Sequence, residues 1–222
     1  MREKIVLSWS SGKDSAMALY ELQRAGGYEV VSLLTVLTED YDRVSMHGVR
    51  RTLLERQAEE LGLPLEEVFI SKGAANEEYE RKIESALIKF KNMGVSSVVF
   101  GDIFLQDIRK YREDNLARVG MKAIFPNWGR DTGGLVRESI RLGFKAVITC
   151  VDTRVLGRRF AGRLIDGAFL AEIPEGIDPA GENGEYHSFV FAGPVFRNEV
   201  PIAIGECVLR DQRFYFCDLL PV

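Results

Sequence analysis

Short β-branched runs alternate with longer segments of helical period along the first two thirds of this chain, and that rhythm restricts the fold more than any other feature. It is the pattern of βαβ units closing a parallel sheet. The runs 4-KIVLSW-9, 29-EVVSLLTV-36, 67-EVFI-70, 97-SVVFGD-102 and 145-KAVITC-150 predict strands. Between them, Ala18, Leu22 and Ala25 recur at helical spacing before Gly26 and Gly27, and Leu54, Ala58 and Leu61 repeat it before Gly62 and Pro64. Tyr79, Ile83, Ala86, Leu87 and Phe90 mark a third helix ending near Gly94, and Asp131 caps a fourth that runs to about Gly143. After Cys150 the text changes. The turn-rich stretch 174–196 precedes strand-like 200–209 and 213–220, which predicts a smaller α+β region built on the first.

The expected organisation is a domain over 1–125 and a second over 126–222, with a fold of the α/β class: a Rossmann-like parallel sheet followed by a smaller α+β domain. With 46% hydrophobic residues in a chain of 222, there is enough apolar surface for a real core. The net charge of -4 arises from 29 basic and 33 acidic residues well mixed along the chain, which disfavours a nucleic-acid partner and a membrane surface. Cys150, Cys207 and Cys217 are odd in number and widely spaced, which argues against a disulfide framework, and with only His47 and His187 besides, against a zinc site. Met1 leads almost directly into a strand and no apolar run approaches membrane-spanning length, so a cytoplasmic protein is expected.

The crossing from the first strand into the first helix, 8-SWSSGKDSAMAL-19, carries the chemistry. A strand that ends in small and hydroxyl residues before a helix exposes unpaired N–H groups at the positive end of the helix dipole. Ser10, Ser11 and Gly12 let a phosphate approach the backbone, and Lys13 adds a full charge. A Walker P-loop would need a glycine at position 7 and Ser or Thr at 14, where Leu7 and Asp14 stand; no dinucleotide fingerprint is present either. The plainer reading is an N-capping serine with a solvated lysine.

Residues 10–15, Ser-Ser-Gly-Lys-Asp-Ser, resemble the Ser-Gly-Gly-x-Asp-Ser signature of the PP-loop ATP pyrophosphatases, with Ser11 in place of glycine. The segments 46–65, 99–113, 124–136 and above all 180-AGENGEYHSFVFAGPVF-196 extend the resemblance to the diphthine–ammonia ligase family over nearly the whole chain. What it implies is a PP-loop (adenine nucleotide alpha hydrolase-like) fold and ATP and Mg²⁺ as cofactors. The implied reaction adenylates a carboxylate, releases AMP and pyrophosphate, and forms an amide with ammonia. Ser8, Ser10, Ser11, Gly12 and Ser15 would then hold the nucleotide, Lys13 would balance developing charge, and Asp14 would help hold the metal. Catalytic roles fall to Lys13, Asp14, Glu182 and Glu185, and acceptor contacts to Glu182, Asn183, Gly184, Glu185 and His187.

Asn183 stands where archaeal and eukaryotic ligases carry glycine, and His187 and Ser188 where an acidic residue and threonine are usual, which resembles the bacterial branch and leaves the acceptor open between a protein carboxylate and a small molecule. His47 and the pair Gly101 and Asp102, at the end of a candidate parallel strand, are nucleotide contacts on this reading; a capping or merely exposed histidine is the alternative for His47, and a cap for the next helix is the alternative for Asp102. Arg154, Arg158, Arg159 and Arg163 are spaced for a solvated helix face. An enzyme adenylating another acceptor, such as a metabolite or a tRNA base, and a non-catalytic ATP or AMP sensor are the competing functions. A homodimer through strand 200–209 is a further expectation.

Overall fold

The computed structural model describes residues 2–222. In chain order the elements of the first half are β1 (Glu3–Ser8), α1 (Lys13–Ala25), β2 (Tyr28–Thr38), β3 (Arg43–Val44), α2 (Arg51–Leu61), β4 (Leu65–Ile70), α3 (Asn76–Asn92), β5 (Ser97–Val99), α4 (Gln106–Arg118) and β6 (Lys122–Ile124). The second half holds α5 (Thr132–Arg141), β7 (Lys145–Asp152), α6 (Gly167–Glu172), β8 (Tyr186–Ala192), β9 (Ile202–Arg210) and β10 (Phe214–Pro221).

The strands β4, β2, β1, β5 and β6 lie side by side in that order and run parallel, while β3 folds back onto the end of β2 as a short antiparallel ribbon. Chain order reverses at β1, because the chain moves outward to β2 and then returns to the other side at β5. The loops after β1 and β5 therefore diverge, and a crevice opens at the carboxyl ends of the strands. Both faces of β1 are buried: Ile5 and Leu7 pack toward α1, α2 and the second sheet, Val6 toward α3 and α4. That explains why its sequence is a continuous apolar run rather than an alternating one.

The second sheet is antiparallel, ordered β8, β7, β10, β9. Residues 145–150, expected in the parallel sheet, belong here instead as β7, which pairs antiparallel with β8 and β10 and packs its apolar residues into the cluster shared by the two sheets. One apolar cluster joins the sheets, running from Leu7, Trp9 and Leu53 to Val147, Phe189 and Val190.

Asp131 caps α5 as expected, its Oδ2 accepting from the Gly134 N–H at 2.6 Å. Residues 186–192, read within a turn-rich stretch, form β8. The arginines expected on a helix face are not on one: Arg154 lies in a turn, Arg158 and Arg159 in a single 3₁₀ turn, and Arg163 in a loop where it pairs with Glu172 at 2.6 and 2.7 Å. Gly157 and Gly162, the latter at φ +77°, interrupt any continuous helix there. All three cysteines are free thiols, although the β9–β10 register sets Cys207 opposite Cys217. No helix among the described residues is long and apolar enough to cross a membrane.

Candidate active site

A cleft of about 210 Å³ opens where the carboxyl ends of β1 and β5 meet the loop that leads into β8. Ser8, Ser10, Lys13, Asp14, Ser15, His47, Gly101, Asp102, Glu182, Gly184 and His187 line it, so eleven of the residues singled out from the sequence converge. Ser11, Gly12, Asn183 and Glu185 are not part of its lining: Ser11, Gly12 and Glu185 are buried and Asn183 is exposed.

The loop after β1 is held from both sheets. Ser11 is fully buried at φ +67°, a left-handed conformation in which glycine is at ease and serine is not. Its carbonyl accepts from the Val190 N–H at 2.9 Å and from Gln57 Nε2 at 3.1 Å. Gln57 also donates to the Val190 carbonyl at 2.6 Å and accepts from the Trp9 indole at 2.9 Å, which ties loop, α2 and β8 into one buried network. The Lys13 N–H reaches Ser188 Oγ at 3.3 Å, and Ser15 Oγ donates to the Gly12 carbonyl at 2.9 Å. A Cβ on Gly12 would stand 3.0 Å from the His47 ring and 3.2 Å from the Ser188 carbonyl, tight enough that the ring or the carbonyl would have to give way.

Lys13 is 4% exposed and donates to both Asp14 oxygens at 2.9 Å and to the Ala180 carbonyl, with its ammonium 5.1 Å above the Tyr186 ring. Burial works to lower its pKa, but Asp14, Tyr186 and Glu182 outweigh burial and hold the amine firmly protonated. Glu182 comes from the facing loop. Its Oε1 accepts from the Ile103 N–H at 2.7 Å, which bridges the two sheets across the cleft. Burial, then the nearby charges of Asp14 and Asp102, push its carboxyl up to about 7.

Glu185 points elsewhere. It is 6% exposed, and its Oε1 accepts from the Asp178 N–H at 3.1 Å and from Asn183 Nδ2 at 3.0 Å, bracing the turn that presents Glu182. Asp178 supports the same turn by accepting from the Glu182 N–H at 2.8 Å.

The two histidines, far apart in the sequence, are neighbours in the fold, with ring centroids 4.7 Å apart. His47 Nδ1 donates to the Ser188 carbonyl at 3.0 Å. Burial lowers His47 to about 4, and burial together with His47 lowers His187 to about 3, so both rings are neutral at pH 7.

Gly101 is a packing residue as much as a lining one: a Cβ there would lie 2.7 Å from the Asp14 carbonyl carbon and 2.8 Å from the Ser15 nitrogen. Asn127, fully buried, locks that approach by donating to the Asp14 carbonyl at 2.9 Å and the Gly101 carbonyl at 3.2 Å. Asp102 does not cap α4, whose N-cap is Leu105. It faces Arg112, whose Nη2 donates to Oδ1 at 3.1 Å while Nε stands 2.9 Å from Oδ2 without hydrogen-bond alignment. Gln57, Asn127 and Arg112 were not foreseen. Only Gln57 left a trace in the sequence, as a polar side chain on the apolar stripe of Leu53, Leu54 and Ala58.

The cleft can accept an anion. The start of α1 with its positive dipole end, the Gly12 turn and the protonated Lys13, its ammonium held by Asp14 and the Ala180 carbonyl, lie together at the cleft. It does not form a metal cage: no cluster of three or more His, Cys, Asp or Glu fit to hold an ion occurs among the described residues. Magnesium, however, is commonly held by one or two carboxylates completed by substrate phosphates, and Asp14 beside the cradle suits that arrangement.

Comparison with known proteins places the chain in a family. The model of the diphthamide synthase N-terminal domain matches residues 3–123, and that of the C-terminal domain matches residues 131–217. The chain belongs to the diphthamide synthase family. Among curated relatives of this family, a diphthine–ammonia ligase of Danio rerio is 27% identical over 91% of this chain and 88% of its own length. The protein of that name in Homo sapiens is 24% identical over 90% of this chain and 83% of its own. In Schizosaccharomyces pombe the identity is 26% over 90% of this chain, but over 36% of a longer relative.

Proposed function

We propose that this chain is an ATP-dependent ligase of the diphthine–ammonia ligase type, which adenylates a carboxylate with release of pyrophosphate and converts the acyl-adenylate to an amide with ammonia. The observation that carries this reading is the meeting of the β1–α1 loop with the 178–188 loop. It sets a protonated Lys13, Asp14 and a Glu182 whose pKa is raised to about 7 around one cleft of about 210 Å³.

Physically the reaction needs phosphate charge neutralised, the reactants oriented, and water kept from the acyl-adenylate. Lys13 and the α1 amides answer the first need. Ser8, Ser10 and Ser15 add hydroxyl donors, and Asp14 with the phosphate oxygens would hold Mg²⁺, which when bound offsets the charge of the leaving pyrophosphate. Orientation falls to the frame of Gly101, Asn127 and Asp102 at the carboxyl end of β5. Glu182, with its pKa near neutrality, takes the proton that ammonia must lose as it attacks the acyl carbon. Gly184 and His187 border the path of the acceptor, and Glu185 and Asn183 hold the turn in shape.

On this reading residues 1–125 form the nucleotide-binding unit and residues 126–222 the acceptor-binding one. The test is nucleotide product analysis. Pure protein with Mg-ATP, ammonium and a small-molecule extract of its host is expected to yield AMP and pyrophosphate, dependent on extract. ADP as product, or AMP formation undiminished in Asp14→Asn, would sink the proposal.

A further inference from the structure

A second, larger cavity of about 550 Å³ lies back to back with the cleft, between the end of β2 with its β3 ribbon and the strands β9 and β10. His187 lines both spaces and His47, tilted against it at 41°, lines the cleft alone, so the imidazole pair stands at the partition between them.

The inner wall of this cavity is apolar, built from Val44, Val208, Phe214, Phe216 and Cys217. Val208 and Phe216 are directly opposed across the β9–β10 ladder and therefore share a face. Gly48 fixes the Phe216 ring: at φ +68° its backbone lies against the ring, and a Cβ would stand 2.7 Å from it. Inside, the Asp218 carboxylate is already neutralised by Arg43 at 2.7 Å and Arg50 at 2.6 Å, so the wall presents no free negative charge there. The rim differs. Lys72 and Arg210 stand exposed there, with Asp211 between the strands and Asp40 close to Lys72, so two cationic side chains reach the mouth.

We propose that this cavity seats the acceptor, a small molecule with an apolar ring or alkyl body. Its reacting carboxylate passes His187 into the cleft, and a second anionic group is held at the mouth by Lys72 and Arg210. The inference rests on the ligase reading above. An apolar pocket with a few convergent polar groups is what a small-molecule site requires. The adenine of ATP would fill such walls but carries no charge, and would make no use of the basic mouth. Because both histidines at the partition are neutral, a carboxylate moving past them meets donors without being trapped in a buried ion pair.

The test uses anilinonaphthalene sulfonate, an aromatic body with one anionic group, as a fluorescent probe of the intact protein. Wild type is expected to bind it at one site, undisturbed by saturating Mg-ATP. Val208→Trp, which fills the cavity, should weaken the probe by more than about tenfold while ATP affinity is unchanged, and exposed Lys72→Glu should weaken it several-fold. Equal binding by Val208→Trp would overturn the proposal, and displacement by ATP would assign the cavity to adenine instead. In the AMP assay with host extract, Val208→Trp should lose extract-dependent AMP. AMP release equal to wild type would show that the acceptor does not use the cavity. If neither protein releases AMP while the probe site is present, the ligase reading fails and the acceptor role with it, leaving a site for apolar anions.

Discussion

Ser11 shows how one residue departs from a motif without breaking it. The signature glycine position is left-handed in this loop, and serine occupies it at φ +67° with its hydroxyl buried and unpartnered. A left-handed non-glycine residue costs about 1–2 kcal/mol and a buried unsatisfied hydroxyl about 1–3 kcal/mol. Glycine would relieve both, against an unfolded-state entropy penalty of about 0.4–1 kcal/mol. Ser11→Gly is therefore expected to raise stability by about 1–4 kcal/mol in denaturant titration; a loss of stability would mean that the serine hydroxyl is partnered in the fold. Glu182 makes the second residue-scale case. A glutamine in its place would keep the acceptor for the Ile103 N–H but not the basicity, so Glu182→Gln should fold normally and lower amide formation by about 10²–10⁴-fold. At constant free ammonia, wild-type amide formation should rise with pH through 7 as the carboxyl ionises, and the variant should lose that limb. A variant with the limb intact would remove Glu182 from proton transfer.

Between elements, the packing of β5 against the start of α1 decides whether the cradle exists. A methyl group added to Gly101 would stand 2.7 Å from the Asp14 backbone, and neither neighbour is the end of a flexible side chain. Gly101→Ala should cost about 1–3 kcal/mol of stability and weaken ATP binding together, since the shift displaces the amides that face the phosphates. Unchanged ATP affinity, measured by calorimetry, would show that the cradle does not depend on this approach. The elements themselves were unequally legible in the sequence. The first strand and the loop after it could be read because a doubly buried strand is apolar throughout and its exit into a helix is marked by small residues. α4 could not, because only Leu116 of its thirteen residues is buried and a polar helix has no stripe. β8 hid behind the glycines of the turn that precedes it. The choice between Glu182 and Glu185 was equally out of reach: Gly181 and Gly184 sit at φ +71° and +87° around them, so no helical or strand period sets where those carboxylates point.

At the scale of the whole molecule, joining two sheets over one cleft buries ionisable groups that no single domain would bury, and the consequence is a pH-dependent stability. His47 and His187 have folded pKa values of about 4 and about 3, below their ordinary 6.5. As pH falls below 6.5 the unfolded chain takes up protons that the folded one refuses, so each histidine withdraws stability in that direction. Glu182 acts in the opposite sense. Raised from 4.5 to about 7, it contributes stability that is full below 4.5 and lost as pH rises toward 7, and Asp14, pushed upward by burial against the pull of Lys13, adds to the same side. Between about pH 4.5 and 6.5 these effects compete, and replacing both histidines removes only the first. The His47→Asn, His187→Asn double variant should therefore change the slope of stability against pH by about one proton at pH 6.5 and approaching two near pH 5, at most roughly 2.7 kcal/mol per pH unit, leaving stability that falls as pH rises across this window. Denaturant titrations of both proteins at several pH values measure that slope directly. Parallel curves would mean that the imidazoles titrate normally in the fold, and that the partition between the two cavities is open to water.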